Sequence, residues 1–464
     1  MRKSIIYKFK IAVFGGVFFS AVAAQAGFVN PQDLGQVPRP ADTPAFSEGG
    51  DSPVGAGTLF NPEISAILDF TYGYFEDGIG EPEGYELAHD HGHDHAHGLE
   101  EGFSIREAEI TMAGALDPYF DMMLMLAVTN HDIEIEEGYI TSRSLPSGLG
   151  LKAGKFMSDT GYINKQHPHE WLFIDQPWMS EYLLGEEGLT ELGLQLSWMP
   201  PTVSYTRLGV EVLEGKTEGV ANYVGEKNHT IVTILPKDPG TDDSPERNRW
   251  QADMEFEDVK SPRLYTGFLK WGPDIGFDHA VQFGLWGGYG SAFQAEDAHS
   301  SGRLETWDGE SLFGGADVVY KYNGQGVMGH RNMVLQGEYM YRRLDLRYKN
   351  RNFSDFSTLK ILDEKDQLWK QDGLYLQGVY GFAPRWNAGL RFDALGLTNS
   401  SYEGPSLVDD DLSMRYTGQI SYAPTEFSRF RLQGSYDDPY KEHGGWKVVL
   451  QYNVSLGVHG AHAF

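Results

Sequence analysis

The chain of 464 residues contains no cysteine, which excludes disulfide scaffolds, thiolate metal sites and thiol nucleophiles. Basic residues are scarce, 37 Lys and Arg against 66 Asp and Glu, for a formal charge of −29. So acidic a chain repels phosphate backbones, and nucleic acid is not an expected partner. No apolar run beyond the N-terminus reaches about 18 residues, so helical membrane spans are excluded. Global disorder is excluded too, because aromatic residues make up 13% of the chain. There is no G-x-S-x-G, H-E-x-x-H or Walker loop, and no enzyme activity is expected.

What is present begins with an address. Arg2, Lys3, Lys8 and Lys10 precede the apolar stretch Ile11–Val22, and Ala24-Gln25-Ala26 fits a small-residue cleavage site. Residues 1–26 therefore read as a secretory signal peptide. Its removal lowers the charge from −29 to −33. Residues 27–62, with Pro31, Pro38, Pro40, Pro44, Pro53 and Pro62, read as a Pro-rich periplasmic tail.

From residue 63 onward apolar and polar residues alternate in runs of about ten, the period-two signature of strands. Leu192, Leu194, Leu196 and Trp198 oppose Glu191, Gly193, Gln195 and Ser197. Trp446, Val448, Leu450, Tyr452, Val454 and Leu456 oppose Lys447, Gln451, Asn453 and Ser455. In a transmembrane barrel the apolar face meets lipid and the polar face lines the lumen. Aromatics at the ends of the apolar rows (Tyr72, Tyr74, Trp198, Trp271, Trp386, Tyr422, Trp446) favour that reading over a secreted soluble β protein. So does the terminal Phe464, which resembles the signal read by the barrel-assembly machinery.

The expected fold is all-β, a transmembrane antiparallel barrel of sixteen strands spanning 63–464. Its short connections alternate with long ones at 76–102, 158–187, 214–261, 292–310, 347–372 and 396–410. The short turns then face the periplasm, as do both termini, and the outer membrane of a Gram-negative bacterium is the expected location. Thr230–Leu235 and Trp250–Phe256 offer another hairpin, which would make eighteen strands. A plugged, energy-coupled receptor needs 22 strands and a longer chain, whereas sixteen strands is porin size.

The third long loop, 158–187, carries Trp171, Leu172, Phe173 and Ile174 beside Glu170, Asp175, Glu181, Glu186 and Glu187. It is too apolar for water. The spacing predicts either an infolded constriction, with the carboxylates lining the gap, or a cap over the barrel mouth. Inward parity gives acidic early strands (Asp69, Glu107, Glu109, Asp121, Glu191, Glu211) and a basic wall (Arg385, Arg391, Arg415, Arg429, Arg431, with Lys447). Loop and wall then either set up a transverse field that tunes which ions pass or pair off and fill space.

Gly154-Lys155-Phe156, the loop, and then Leu192-Gly193-Leu194-Gln195 together resemble the phosphate-selective porin superfamily. The run Asn164–Pro177, N-x-QHPH-x-W-x-F-x-DQP, is more narrowly similar to proteins called zinc-regulated TonB-dependent outer membrane receptors. That resemblance covers about 103–200 and implies zinc. It is architectural only beyond that span.

His89, His91, His93, His95 and His97 alternate with Asp90 and Asp94 among them. Imidazole suits Zn, Cu and Ni, so this outer loop (76–102) reads as a collector of Zn²⁺ or as a solvated tract that binds metal incidentally. No tightly bound cofactor is expected. His167 and His169 are secondary candidates, as a metal relay or as hydrogen-bonding anchors of their loop. The function expected is passive passage of small solutes or ions, with a possible tie to zinc uptake. The alternatives are a non-conducting barrel that binds metal or a surface partner, and a TonB-linked receptor without a recognisable plug. A homotrimer follows by analogy with porins alone.

Replacing all five outer-loop histidines with Ser should remove most zinc binding in calorimetry and leave the heat-modifiable barrel intact. In the parent chain the affinity should fall below about pH 6.5, where imidazole protonates. Zinc retained in full by the variant would place the metal elsewhere, with His167 and His169 first in line.

Overall fold

The computed structural model describes residues 62–85, 99–128, 133–225, 227–234, 247–254, 256, 258–298, 303–353, 359–398, 400–403, 406–408 and 412–457. The expected signal peptide, nearly all of the Pro-rich tail, the histidines at 89–97 and Phe464 lie outside the described residues.

Twenty strands follow one another: β1 (Glu63–Phe75), β2 (Gly102–Ala115), β3 (Phe120–Val128), β4 (Ile133–Ser142), β5 (Leu149–Met157), β6 (Thr190–Trp198), β7 (Tyr205–Leu213), β8 (Lys227–Ile234), β9 (Arg247–Met254), β10 (Leu264–Gly272), β11 (His279–Ala298), β12 (Arg303–Tyr322), β13 (Met333–Phe353), β14 (Leu359–Ala383), β15 (Trp386–Leu395), β16 (Ser400–Glu403), β17 (Ser406–Val408), β18 (Ser413–Thr425), β19 (Ser428–Asp438) and β20 (Gly445–Gly457). Two helices lie in the connections, α1 (Trp178–Leu184) and α2 (Glu218–Ala221).

Sixteen of the strands form one closed antiparallel barrel. Each pairs with its chain neighbour, β7 passes directly to β10 and β15 to β18, and β1 closes the ring on β20. Closure leaves no unpaired edge, which hydrocarbon would not tolerate. The hairpin expected near 230–256 exists as β8 and β9, but it pairs only with itself. The barrel therefore has sixteen strands and not eighteen.

Outward and inward rows separate cleanly. Leu192, Leu194 and Leu196 of β6 are 56%, 54% and 48% exposed, while the intervening Gln195 is 2% exposed. Aromatic pairs cross neighbouring strands at both rims of the apolar belt. Trp386 and Tyr422 lie 4.6 Å apart, and Trp271 and Phe283 5.7 Å, toward the short turns. Tyr72 and Phe103 lie 4.6 Å apart, and Tyr436 and Trp446 5.1 Å, toward the long connections. Two such girdles are what a membrane-spanning barrel places at the two interfaces.

Two expected loops are not loops. Segments 292–310 and 347–372 continue largely as sheet, so β11 to β14 run to 20, 20, 21 and 25 residues. At about 3.3 Å per residue these strands far exceed an apolar band of about 25 Å. Their outer halves read as loop by composition, but one face carries a small apolar cluster of Phe293, Ala295, Leu344 and Leu346, and unbroken pairing from Phe293↔Gly309 to Ala298↔Leu304 keeps them in the sheet. The short β16 adds to this projection by pairing with β14 at Gln367–Lys370.

Leu194→Arg, at the middle of an outward row, should destabilise the barrel by about 2–4 kcal/mol. Urea unfolding from lipid vesicles measures it, and an unchanged midpoint would contradict the assignment of this face to lipid.

Candidate functional site

The loop after β5 folds into the barrel and crosses its lumen. Its neck is closed by Asn164, whose Nδ2 donates to Ser158 O at 2.9 Å while its Oδ1 accepts from Leu189 N–H at 2.6 Å. The chain then meets one wall after another. Asp159 pairs with Arg207 of β7 at 2.8 Å and with Lys165 at 2.7 Å. The N–H groups of Tyr162 and Ile163 donate to Glu338 of β13 at 3.0 and 2.7 Å. His167 and His169 then turn back toward β2 and β4. Trp171 to Trp178 lies along β15, β18 and β19, and α1 packs on β13, β14 and β15. Phe173, Ile174, Met179 and Leu183 are fully buried, which explains a segment too apolar for an exposed loop.

An irregular chain inside a barrel leaves its main-chain carbonyls without sheet partners, and buried carbonyls need donors. Arginine supplies them. Arg429, Arg431, Arg106, Arg391, Arg415 and Arg342 donate to the carbonyls of His169, Trp171, Ile174, Asp175, Gln176 and Leu183 in that order. Gln433 accepts from Ile174 N–H at 2.8 Å, and Asp393 from Trp178 N–H at 3.0 Å. The guanidinium suits this work because it offers five donors in a fixed fork. A second infolded piece, α2, sits against α1. At Gly219 a Cβ would come within 2.2 Å of Leu184 C, so the approach of these two segments requires glycine.

The basic wall and the acidic loop meet as ion pairs. Asp175, expected to line the gap, is clamped between Arg391 at 2.8 Å and Arg415 at 3.1 Å. Burial pushes its carboxyl up, but the two guanidinium charges and a hydrogen bond from Gln433 outweigh burial and hold it well below the usual range. Glu170 is half-buried and accepts from His167 N–H at 3.3 Å. Glu181, on α1, is half-buried with Arg415 Nη1 3.9 Å away. Burial pushes it up to about 7, against the pull of Arg415 and Lys447. Glu186 is half-buried and Glu187 exposed. Arg385, expected on the lumen wall, lies instead in the turn between β14 and β15 at φ +69° and donates to Pro424 O at 2.6 Å. The reversal of the chain there ends the strand parity that placed it inward. The early-strand acids Asp69, Glu107, Glu109, Asp121, Glu191 and Glu211 are all buried on the inner face.

Strand parity misses two inward residues, Arg106 and Glu137. On β2, Asp69 pairs with Glu107 and Phe70 with Ile105, so Arg106 is the extra residue of a β-bulge. On β4, Met125 pairs with Glu137 and Leu126 with Ile135, so Glu136 is the extra residue. A bulge re-aims the side chains beside it, and both Arg106 with Glu107 and Glu136 with Glu137 are buried as consecutive pairs. The only sign in the sequence is a charge at an outward parity: Arg106 between Ile105 and Glu107, and Glu137 in the row of Ile133 and Ile135.

The consecutive glutamates hold the histidines. His167 Nδ1 lies 3.1 Å from Glu136 Oε1, and its Nε2 lies 3.3 Å from Glu137 Oε2. His169 Nδ1 lies 3.1 Å from Glu109 Oε2, and the two imidazoles stack at 5.8 Å with 3° between planes. Burial pushes both imidazoles down, but the facing carboxylates outweigh it and raise His167 well above its ordinary value and His169 above it.

No family model matches the chain. Three solved structures share the barrel architecture. The outer membrane channel DcaP of Acinetobacter baumannii is 11% identical at a TM-score of 0.47, over 87% of this chain and 99% of that one. OmpT, an outer membrane protein of Vibrio cholerae, is 9% identical at 0.45, over 85% and 97%. An anion-selective porin from Comamonas acidovorans is 12% identical at 0.43, over 85% and 99%. In sequence, the chain is 32% identical over 418 residues to an uncharacterized protein of Aquifex aeolicus (strain VF5), spanning 87% of this chain and 80% of that protein. The chain belongs to the same family as that Aquifex aeolicus protein.

Proposed function

We propose that the protein is a porin-like channel of a Gram-negative outer membrane, passing small solutes or ions without energy coupling. One observation carries the reading: a closed barrel, apolar outside, whose inner face bears Arg, Lys, Asp, Glu, Gln, Ser and Thr on strands around the ring. A polar interior is solvated from both ends and gives ions a path, whereas a barrel with no passage to keep wet could be filled with apolar side chains. The infolded loop narrows that path, so the bore admits small species and the conductance is low. Selectivity then rests on charge that faces the passage at the constriction, and the half-buried Glu181, 3.9 Å from Arg415, is the carboxyl of the loop poised to supply it. Zinc delivery to the mouth by His89, His91, His93, His95 and His97, insertion through a Phe464-dependent assembly signal, and homotrimer formation belong to the same proposal. The resemblance to the zinc-regulated receptors favours the zinc tie.

A second reading, a barrel that binds but does not conduct, draws on one feature. Inner-face residues are almost wholly buried by the loop, Gln195 at 2%, Asp393 at 0% and Gln451 at 0% exposure. Planar-bilayer recording separates the two. The channel reading expects discrete low-conductance steps, and silence after verified insertion would leave the closed barrel.

The same recordings test Glu181. Its carboxyl is neutral below about 7 and charged above, so cation preference should rise as pH climbs through neutrality. Glu181→Gln should flatten that rise in reversal-potential measurements. An unchanged profile would place Glu181 off the ion path.

A further inference from the structure

Inside the lumen, β2, β4 and the infolded loop bring three metal-ligating groups together. A carboxylate oxygen of Glu109, one of Glu136 and a ring nitrogen of His167 all lie within 4.8 Å of one another, and all three residues are buried. A tetrahedral ion with bonds of about 2.0–2.1 Å holds its ligand atoms about 3.4 Å apart, so modest side-chain adjustment closes the triangle. The β4 bulge creates this geometry, because regular alternation would turn either Glu136 or Glu137 toward lipid. On β3, which separates β2 from β4, the residue opposite Glu109 is the small Ala127.

The imidazole of His167 gives a second, independent reason. Its side chain is 5% exposed, and each of its two nitrogens faces a carboxylate oxygen. A neutral imidazole has one N–H, so its other nitrogen would point a lone pair at an anion. A positive charge is required on that side, either the second ring proton of an imidazolium or a metal ion in its place. Among the described residues no donor reaches Glu109 Oε2 in good hydrogen-bond geometry, although His169 Nδ1 is 3.1 Å away. A buried carboxylate held by one ion pair with a neighbouring imidazole still has lone pairs to give, and a metal ion shared with Glu136 and His167 would take them.

We propose that Glu109, Glu136 and His167 form a lumenal site for a divalent transition cation of the zinc class, with Glu137 or water in the fourth position. An imidazole with two carboxylates suits Zn²⁺, whereas Ca²⁺ and Mg²⁺ prefer all-oxygen shells of six or more ligands. The ion ties the loop to two strands of the wall, close to where the loop turns from one side of the lumen to the other. This site is distinct from the histidines at 89–97. It goes beyond the channel reading and does not need it, because binding is read whether or not the barrel conducts.

The test uses the refolded full chain with His89, His91, His93, His95 and His97 all replaced by Ser, and Zn²⁺ as the probe. Calorimetry should find one remaining zinc, and calcium should not bind there. Zinc K-edge absorption of that loaded protein should show nitrogen and oxygen neighbours with at least one imidazole among them. Adding Glu109→Gln, or separately Glu136→Gln, should weaken the remaining binding by more than about tenfold, since even a partner outside the ligand shell is worth about 10–100-fold. Heat-modifiable migration controls for folding, and the absorption spectrum stands without either glutamate variant. The proposal is overturned by no zinc in the five-Ser protein, by a spectrum without imidazole, or by undiminished affinity in a folded Glu109→Gln protein. Absent conductance alongside retained zinc would overturn only the channel.

Discussion

Everything inside the barrel depends on hydrogen bonds from wall arginines to main-chain carbonyls of the infolded loop. Hydrocarbon outside forces every strand to pair with its neighbours. The loop has no such ladder, and its carbonyls would be buried unpaired across a wide lumen. Six guanidinium groups on β2, β13, β15, β18 and β19 supply the missing donors. These arginines line one half of the ring, while Arg207 of β7 and Lys270 of β10 hold Asp159 on the other, so the loop is suspended across the lumen and not laid along one wall. Its ion pairs follow from this arrangement. Asp175 between Arg391 and Arg415 is worth little as net stability, since desolvation offsets attraction. Losing either partner type would strand a buried charge, so the geometry is strongly specified.

Charge inside the lumen is therefore mostly committed. Asp175, expected to line the gap, serves as an anchor for the basic wall, and Asp159 does the same for Arg207, Lys165 and Lys270, as does Glu338 for the loop amides. What stays open to solvent is a smaller set near α1 and the loop's end, Glu181, Glu186 and Glu187. The lumen holds a fixed strap whose charges are mostly paired, which leaves little for a strong transverse field. The histidine nest between β2 and β4 fastens the strap on the side where arginines are fewest.

Much of the barrel was legible because lipid on one side and water on the other impose period-two alternation, although β3 runs apolar on both faces from Met122 to Val128. The infolded loop was legible from Trp171 to Ile174, a run too apolar for solvent. Three things were hidden. The extensions of β11 and β12 resemble loops, since beyond the membrane no face must be apolar throughout, and their apolar residues form only a small cluster around Phe293 and Leu344. Bulges at Arg106 and Glu136 shift the inward parity by one residue and leave only a misplaced charge as a trace. The partners of the wall arginines are main-chain carbonyls far away in sequence, His169 for Arg429 for example, and no side-chain pattern records a carbonyl. The arginines themselves could be placed on the inner wall, but the loop atoms they hold could not.

Hydrogen–deuterium exchange of the folded protein tests the suspended loop most directly. The amides of Asp159, Tyr162, Ile163, Ile174 and Trp178 donate to side chains of the wall, and the account predicts that they exchange on the slow timescale of the barrel strands. Exchange of 158–178 as fast as that of solvated surface loops would contradict it, and with it the reading of this segment as the fixed element of the lumen.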